Sequence, residues 1–248
     1  MTHDDAAHHE HTRAYYDDFA ARYEAARRPN DPTGYHAMLD DLEVEFTMRF
    51  GRGKDVLEAG CGTGLVLAHL AEQARHAEGF DLSPGMLEKA RERGLTVKEG
   101  SLVDIPFPDA SFDVVCSFKV LAHVHRIERA LAEMARVTRP SGVVVAEFYN
   151  PWSFRGLAKR LGPAGSISEG RNESEVFTRF DSPLRVRSLV PPGCRIVATR
   201  GIRIATPMAA ALRVPLVGKA LVRAERLLAD TPARVFGGFY LVAFQKDR

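Results

Sequence analysis

The sequence predicts an α/β protein with a doubly wound, mostly parallel sheet and helices on both faces. Three observations support this prediction: short apolar runs alternate with amphipathic segments, a glycine-packed turn follows the first such run, and 248 residues are enough for one large core. Alternating strands and helices are joined by crossovers, which leave the strands parallel. We therefore expect a single domain over 13–248.

The chain should open with a disordered lead over 1–12, because this segment is polar and lacks an apolar run typical of a signal sequence or membrane span. A helix is expected over 12–26, ended by the Pro/Asn/Gly segment 29–34, and a second helix over 35–50. Aromatic and apolar residues share one face of the first helix: Tyr15, Tyr16, Phe19, Ala20 and Tyr23. That face either covers a ligand or packs on the domain surface.

The most informative stretch is 54–64, where a strand over 54–58 leads into a turn with three glycines. Gly60, Gly62 and Gly64 lack a Cβ, so the turn can adopt positive φ and a ligand can approach its backbone. The helix expected over 65–74 presents unpaired N–H groups at its positive end. A ligand should therefore bind over this junction.

The glycine spacing argues against two common nucleotide sites. A dinucleotide fingerprint needs Gly-x-Gly-x-x-Gly, and Leu65 occupies the position of the third glycine. A Walker loop is absent, because no Gly-Lys-Ser/Thr follows the turn. Glu58, just before the turn, would repel a phosphate and attract an ammonium group.

A second carboxylate follows the next strand, expected over 76–80. Asp81 ends this strand at the sheet edge where open parallel sheets bind ligands, and a carboxylate can accept hydrogen bonds from two ribose hydroxyls. An Asp after a strand can equally be a cap or turn residue. Ser83 and Pro84 are typical of the start of a helix, expected over 84–93.

The alternation continues with strands over 95–98 and 112–117, a helix over 127–138 and a strand over 142–149, as judged from β-branched runs and helical periodicity. A first insertion at about 150–182 is long for a connection and should serve the substrate side. It begins with apolar and basic residues: Trp152, Phe154, Arg155, Lys159 and Arg160.

The C-terminal part should add a helix near 183, a strand over 195–201, a second insertion at about 204–232 and a closing strand over 235–244. Within the insertion, Pro215 and Gly218 should divide the apolar stretch 207–229 into two short helices. This stretch either packs on the core with its basic side chains extended or forms a lid for a lipid-like or acidic substrate. Its basic residues are Arg213, Lys219, Arg223 and Arg226.

Over 12–150 the chain resembles the class I S-adenosylmethionine-dependent methyltransferases, especially the small-molecule branch related to ubiquinone and menaquinone biosynthesis enzymes. The motifs that carry the resemblance are DVLEAGCGTG, GFDLSPGMLEKAR, EGSLVDIPFPDASFDVVCSFKVLAHV and LAEMARVTRPSGVVVAEF, in that order. The resemblance implies a Rossmann-like sheet of seven strands whose last strand is antiparallel and lies beside the fifth. It also implies S-adenosylmethionine as cofactor and S-adenosylhomocysteine as product.

The resemblance also implies roles for individual residues. Glu58, Gly60 and Gly62 would hold the methionine end of the cofactor and Asp81 its ribose. The adenine would lie between Leu82 and Met86 on one side and Ser101 and Leu102 on the other, while Tyr16, Tyr23 and Phe118 would contact the cofactor from above and beside it. The family usually has Asp where Ser101 stands, and a serine accepts the hydrogen bond of the adenine amino group more weakly.

Composition limits the classes of partner and ligand that the protein is expected to bind. A net charge of +2 without a basic run interleaved with aromatics argues against nucleic acid, so a small-molecule substrate is expected. The three cysteines, Cys61, Cys116 and Cys194, are typical of reduced thiols in a cytoplasmic protein. The N-terminal histidines lack partners at fixed spacing, so no metal is expected. The oligomeric state stays open.

Methyl transfer from a sulfonium needs mainly positioning, and an oxygen or carbon nucleophile also needs its proton removed. His123, just past the fourth strand, is the candidate base; a histidine there can also cap a helix or bond a carbonyl. Lys119, His125 and Tyr149 are weaker candidates. We expect O-methylation of a small, natural-product or lipid-like metabolite. Alternatives are C- or N-methylation, a cyclase or decarboxylase of the same fold, and a nicotinamide-dependent oxidoreductase.

Overall fold

The computed structural model describes residues 10, 13–17, 20, 23, 24, 27, 34–153 and 177–248. The expected lead over 1–12, residue 10 apart, and the greater part of the first insertion lie outside the described residues. Those described within 13–27 are all helical, in agreement with the expected first helix. Within the described ranges, no helix has the length and apolar character that crossing a bilayer requires.

Helices and strands alternate through the first part of the chain, and the described residues include seven strands. The helices are α1 (Tyr35–Gly51), α2 (Leu65–Ala71), α3 (Pro84–Glu92), α4 (Ile127–Val137), α5 (Pro183–Arg187) and α6 (Pro215–Leu228). The strands are β1 (Asp55–Ala59), β2 (His76–Asp81), β3 (Thr96–Glu99), β4 (Phe112–Ser117), β5 (Thr138–Tyr149), β6 (Cys194–Ile202) and β7 (Phe239–Lys246).

The strands form one sheet in the order β3-β2-β1-β4-β5-β7-β6. Strand β7 pairs antiparallel with β5 and with β6, and the pairs among β1 to β5 are parallel. The predicted fold, with its single antiparallel strand beside the fifth, is confirmed. The chain order reverses between β1 and β4, and sheets of this kind bind ligands at the carboxyl ends of the strands at such a point.

Each face of the sheet is covered by an apolar layer. On one face, Leu42 and Phe46 of α1 share a buried cluster with Val56 of β1 and Val114 of β4. On the other face, α4 contributes to a second cluster that includes Leu57 and Val115, the strand neighbours whose side chains point the opposite way. A sheet buried on both faces explains why the strands are nearly continuous apolar runs.

The N-terminal helix is tied to the sheet edge by polar contacts at its described residues. The Asp17 carboxylate accepts hydrogen bonds from the Gly85 N–H at 3.0 Å and from the Ser83 hydroxyl, at the start of α3. Arg27 forms a two-pronged ion pair with Asp40 of α1 at 2.6 and 2.7 Å. These contacts place the helix over the carboxyl ends of β1 and β2.

The second insertion differs from its prediction. Instead of two short helices, a 3₁₀ turn (Ala209–Arg213) precedes one 14-residue helix, α6. Pro215 does begin this helix, but Gly218 lies inside it and does not interrupt it. A Cβ at position 218 would collide with the Leu212 backbone, so the close packing of the helix against Leu212 requires a glycine there. The closing strand also begins later than expected, at Phe239, because Pro232–Phe236 form another 3₁₀ turn capped by the Thr231 hydroxyl.

A buried guanidinium holds the C-terminal half against α1. Arg200 of β6 is 1% exposed and donates to both carboxylate oxygens of Asp230 at 3.0 and 2.7 Å. It also donates to the Leu42 carbonyl at 3.2 Å and to Glu45 at 3.1 Å. Arg200 and Arg49 lower the pKa of Asp230 to about 2, against the burial that would raise it.

Asp230→Asn should destabilise the protein at neutral pH by about 1–2 kcal/mol, because the buried Arg200 guanidinium loses a negatively charged partner. The loss of stability stays this small because Asp230 is partly exposed to solvent, which screens the ion pair. Urea unfolding at several pH values measures the effect. A carboxyl whose folded pKa is lowered stabilises above its unfolded value of 3.8 and loses that contribution as the pH falls toward 2. The difference in the free energy of unfolding between parent and variant should therefore become smaller below about pH 4.

Asp41→Asn is the matched control, since Asp41 is exposed and Arg226, 3.7 Å away, is its one ion-pair partner among the described residues. It should change the free energy of unfolding by no more than about 0.5 kcal/mol. Equal effects of the two substitutions at pH 7 would contradict the role given to Asp230.

Candidate functional site

The glycine turn after β1 has the geometry that its sequence predicts. Gly60, Gly62 and Gly64 have φ values of 78°, 54° and 80°. The N–H groups of Gly60 and Cys61 both donate to the Phe80 carbonyl, at 2.8 and 3.0 Å, and so fix the turn to the end of β2. A Cβ at Gly60 would lie 2.6 Å from Val120, whereas one at Gly62 would meet nothing within 4 Å among the described residues. With respect to this part of the chain, the Gly62 side of the turn is open.

Asp81 lies at the carboxyl end of β2 beside this turn. Its two carboxylate oxygens accept one N–H each, from Gly62 at 2.8 Å and from Ser83 at 3.0 Å. Burial raises the pKa of Asp81, and these backbone hydrogen bonds oppose the rise. Each carboxylate oxygen can accept a further hydrogen bond. Asp81 thus serves as a turn residue and retains the capacity to hold a diol, so the two expected roles are compatible.

Glu58 lies one strand away, at the end of β1, and is 3% exposed. Its Oε2 atom has no hydrogen-bond partner among the described residues. Burial, and next the charge of Glu43, raise the pKa of Glu58 well above its ordinary value. An unpaired buried carboxylate is costly, and a bound ammonium group would relieve that cost. This orphaned atom fits the amino group of the cofactor that the resemblance implies.

Glu58 belongs to a buried acidic cluster, which we define as Asp40, Glu43, Glu58 and Glu147. Asp40 and Glu43 face the sheet from α1, while Glu58 and Glu147 come from β1 and β5. Burial is the largest cause that raises the pKa of Glu43, and it raises that of Glu147 well above its ordinary value. The Glu147 Oε2 atom, like that of Glu58, lacks a hydrogen-bond partner among the described residues.

Two cations pair with the cluster. The Lys119 ammonium lies 2.8 Å from Glu43 and 3.3 Å from Asp40. The backbone N–H of Lys119 donates a hydrogen bond to the Glu147 carboxylate at 3.1 Å. Arg27 supplies the other positive charge through Asp40. Although burial acts in the opposite direction, these carboxylates raise the pKa of Lys119. The ammonium therefore stays protonated, and Lys119 is unsuited to act as the base.

His123 ends a 3₁₀ turn after β4, and its ring has a defined orientation. Nδ1 lies 2.9 Å from the Phe177 carbonyl oxygen, a contact that requires the proton on Nδ1 and leaves the Nε2 lone pair available in the neutral ring. Burial lowers the pKa of His123 below its ordinary 6.5, against the effect of that carbonyl. Tyr149 and Tyr16 surround the ring, with centroids 5.9 and 6.5 Å away.

The two tyrosines of the N-terminal helix occupy different surroundings. Burial is the largest cause that raises the pKa of Tyr16, followed by the charges of Tyr149 and Asp81, so its hydroxyl lies near both strand ends. Tyr23 instead stacks beneath the Arg27 guanidinium, 5.6 Å from the ring centroid, next to the buried acidic cluster. The helix thus brings Tyr16 beside His123 and near enough to Asp81 for that carboxylate to raise its pKa.

The remaining residues expected at the cofactor lie at the same edge with varied exposure. Met86 and Leu102 are buried, Leu82 is half-buried, and Phe118 is buried in the apolar cluster beneath α1. The Ser101 hydroxyl accepts a long hydrogen bond of 3.4 Å from the Val103 N–H, and Ser101 forms an isolated β-bridge with Asp104. The contacts of these residues with a cofactor stay predictions.

Several residues of the site escaped the sequence reasoning. The Thr63 hydroxyl lies inside the glycine turn, is buried and has no partner among the described residues. Its place between Gly62 and Gly64 was a usable signal. Asp40 and Glu43 carried a weaker one, because they interrupt the apolar face of α1 at positions that turn toward the sheet. Nothing local pointed to Glu147.

Comparisons with known proteins bear on the family to which the chain is similar. Residues 57–146 match a family model described as a methyltransferase domain. The chain is 39% identical over 127 residues to malonyl-[acyl-carrier protein] O-methyltransferase of Serratia marcescens, covering 50% of this chain and 48% of that protein. It is 37% identical over 100 residues to demethylmenaquinone methyltransferase of Corynebacterium glutamicum, covering 40% and 44%. The chain thus spans about half the length of these curated relatives.

A solved structure shares the fold beyond the matched domain. An S-adenosylmethionine-dependent methyltransferase from Thermotoga maritima aligns with a TM-score of 0.67 at 20% identity, covering 94% of this chain and 98% of that one. At this identity the likeness confirms the predicted fold, and the family match agrees with the predicted family. The chain thus carries a methyltransferase domain over residues 57–146.

Proposed function

We propose that the protein transfers a methyl group from S-adenosylmethionine to a hydroxyl oxygen of a small organic molecule. One observation carries the cofactor half of this proposal: two carboxylates, the buried Glu58 and the half-buried Asp81, lie at the tips of adjacent parallel strands on either side of the glycine turn. A ligand that presents an ammonium group and a ribose diol at its two ends matches this arrangement.

Glu58 would bind the ammonium group, because its Oε2 atom is buried and unpartnered. Asp81 would accept hydrogen bonds from the ribose hydroxyls with the acceptor capacity left by Gly62 and Ser83. The cofactor supplies an electrophilic methyl group on a sulfonium. The buried acidic cluster holds four carboxyl groups against two cations, so a bound cation at this edge would stabilise the ionised forms of these carboxyl groups. The Tyr16 ring adds an aromatic surface above it.

His123 would remove the proton of the attacking hydroxyl. Its Nδ1–H is held by the Phe177 carbonyl, so the free Nε2 is oriented, and the lowered pKa keeps the ring neutral at pH 7. Tyr149 and Tyr16 beside the ring narrow the space and limit water. Orientation of the nucleophile and removal of its proton are the contributions that this reaction needs from a protein.

An oxygen acceptor is favoured over nitrogen because the site offers a neutral base, which an amine nucleophile does not require. The name of one relative describes O-methyl transfer to malonyl-[acyl-carrier protein], and that of another describes methylation of demethylmenaquinone. The chain covers half of each relative or less, so neither name fixes its acceptor, and the test includes carbon and nitrogen acceptors beside oxygen. Incubation with methyl-labelled cofactor and panels of phenols, carboxylic acids, carbon acids and amines would test the proposal. Labelled product without any oxygen-linked methyl would contradict it.

Replacing Glu58 by Gln should weaken binding of S-adenosylhomocysteine by about tenfold or more, because the ammonium group loses its charged partner. Asp81→Ala should weaken it by about 1–3 kcal/mol through loss of the ribose contact. Isothermal titration calorimetry measures both. Glu78→Gln is the matched control, since Glu78 lies on β2 like Asp81. Its carboxylate pairs with His76 and Lys98, away from the carboxyl end of the strand. Unchanged affinity in the Glu58 variant would contradict the assigned site.

His123→Ala should lower turnover by about a hundredfold to ten-thousandfold and leave S-adenosylhomocysteine affinity unchanged. In the parent, activity should be level above pH 7 and fall as the pH drops through a value below 6.5, because protonation removes the Nε2 lone pair. Steady-state rates across pH 5–9 test this. His76→Ala, at an exposed residue, is the control. Undiminished turnover in the His123 variant would remove the proposed base and favour an amine acceptor.

A further inference from the structure

Helix α6 exposes an apolar stripe on the side that faces away from the core. Leu216 and Leu227 are 84% and 76% exposed, and together with Ala220 and Arg223 they recur at helical spacing on one side. The opposite side is the packed one: Leu221 and Val222 lie against the cluster beneath α1. Helix α6 is therefore apolar on both sides, although only one of them is needed for folding.

The exposed apolar surface extends beyond the helix. Met208, Val214 and Val217 are 60%, 51% and 46% exposed, so five large aliphatic side chains between 208 and 227 point into solvent. Scattered exposed apolar residues are ordinary, but a group this dense within one insertion is typical of a binding surface. We define the exposed face as Met208, Val214, Leu216, Val217 and Leu227 with the basic residues Arg213, Lys219 and Arg223.

The charge of this face has a single sign. Arg213, Lys219 and Arg223 are exposed, and none of the three pairs with a carboxylate in the part of the chain that the structure describes. The one acidic residue between 207 and 228 is Glu225, which is buried and accepts the N–H groups of Ile204 and Thr206 at 2.8 and 2.7 Å. Glu225 therefore anchors the insertion and contributes no negative charge to its exposed face.

We propose that this face rests on an anionic lipid surface. The aliphatic side chains would enter the boundary between headgroups and acyl chains, while the basic side chains would contact lipid phosphates. A bilayer suits this face because exposed aliphatic and basic side chains occur together on it, which is the combination that acyl chains and anionic headgroups match. The inference does not depend on which acceptor is methylated.

The insertion leaves the sheet at the carboxyl end of β6, which runs parallel to β1 and β4. That is the edge at which Glu58 and Asp81 lie. Attachment through α6 would therefore keep the cofactor edge of the sheet near the bilayer. Of the two alternatives left by the sequence, packing on the core is observed for one side of α6, and the outer side carries the surface proposed here.

Flotation of the full chain with vesicles tests the proposal. Binding to vesicles of 30% phosphatidylglycerol in phosphatidylcholine should exceed binding to pure phosphatidylcholine by about tenfold or more, and should weaken with salt. Arg213→Gln with Lys219→Gln and Arg223→Gln should reduce it about a hundredfold. Leu216→Ser with Leu227→Ser should reduce it about tenfold or more. These positions are exposed, so affinity for S-adenosylhomocysteine should stay unchanged and report an intact fold.

Matched controls come from α5, where Leu184 is 61% exposed and Arg187 is also exposed. Leu184→Ser and Arg187→Gln should leave vesicle binding unaltered. The proposal would be overturned by equal binding to both vesicle types, or by α6 variants that bind like the parent. Soluble polyglutamate bound as tightly as vesicles would indicate an acidic protein partner instead. A dimer in sedimentation that Leu216→Ser and Leu227→Ser dissociate would indicate a second copy of the chain.

Discussion

The structure depends on the burial of four carboxyl groups against two cations where α1 meets the sheet. Lys119 lies among these carboxyls and joins α1, the loop after β4 and the end of β5 through Glu43, Asp40 and Glu147. An ion group of this kind is costly to bury, so it is weak evidence for stability by itself. The group nevertheless contains more carboxyls than cations, which supports the proposal that a cation binds at the carboxyl ends of β1 and β4.

The sheet order brings the residues of the proposed ligand site together. Because β1 lies between β2 and β4, the glycine turn, Asp81 and the loop that carries His123 meet at one edge. The turn is fixed by two N–H groups on the Phe80 carbonyl, and Asp81 is fixed by two more. Most of these contacts use backbone atoms. The frame of the site therefore depends on strand register and glycine conformation more than on individual side chains.

The substrate side is built by segments outside the common alternation. The N-terminal helix reaches the edge through Asp17 and Arg27 and brings Tyr16 near His123. The described end of the first insertion supplies the Phe177 carbonyl that orients the His123 ring. The second insertion adds α6, with its packed inner side and its exposed basic and apolar outer side. These three segments lie where different acceptors and surfaces can be accommodated without altering the cofactor edge.

By itself, the sequence determined the alternation of strands and helices, the glycine turn, and the positions of Glu58 and Asp81 at strand ends, because periodicity, glycine spacing and strand termini are local properties. Strand bounds shifted by a few residues, and Gly218 did not interrupt α6, because packing against Leu212 outweighed glycine's poor helix propensity. Only the tertiary structure decided that Glu43, Glu147 and Lys119 meet beneath Glu58, and that Phe177 selects the tautomer of His123. Those contacts join residues distant in the chain, and no local pattern encodes which of them will be neighbours.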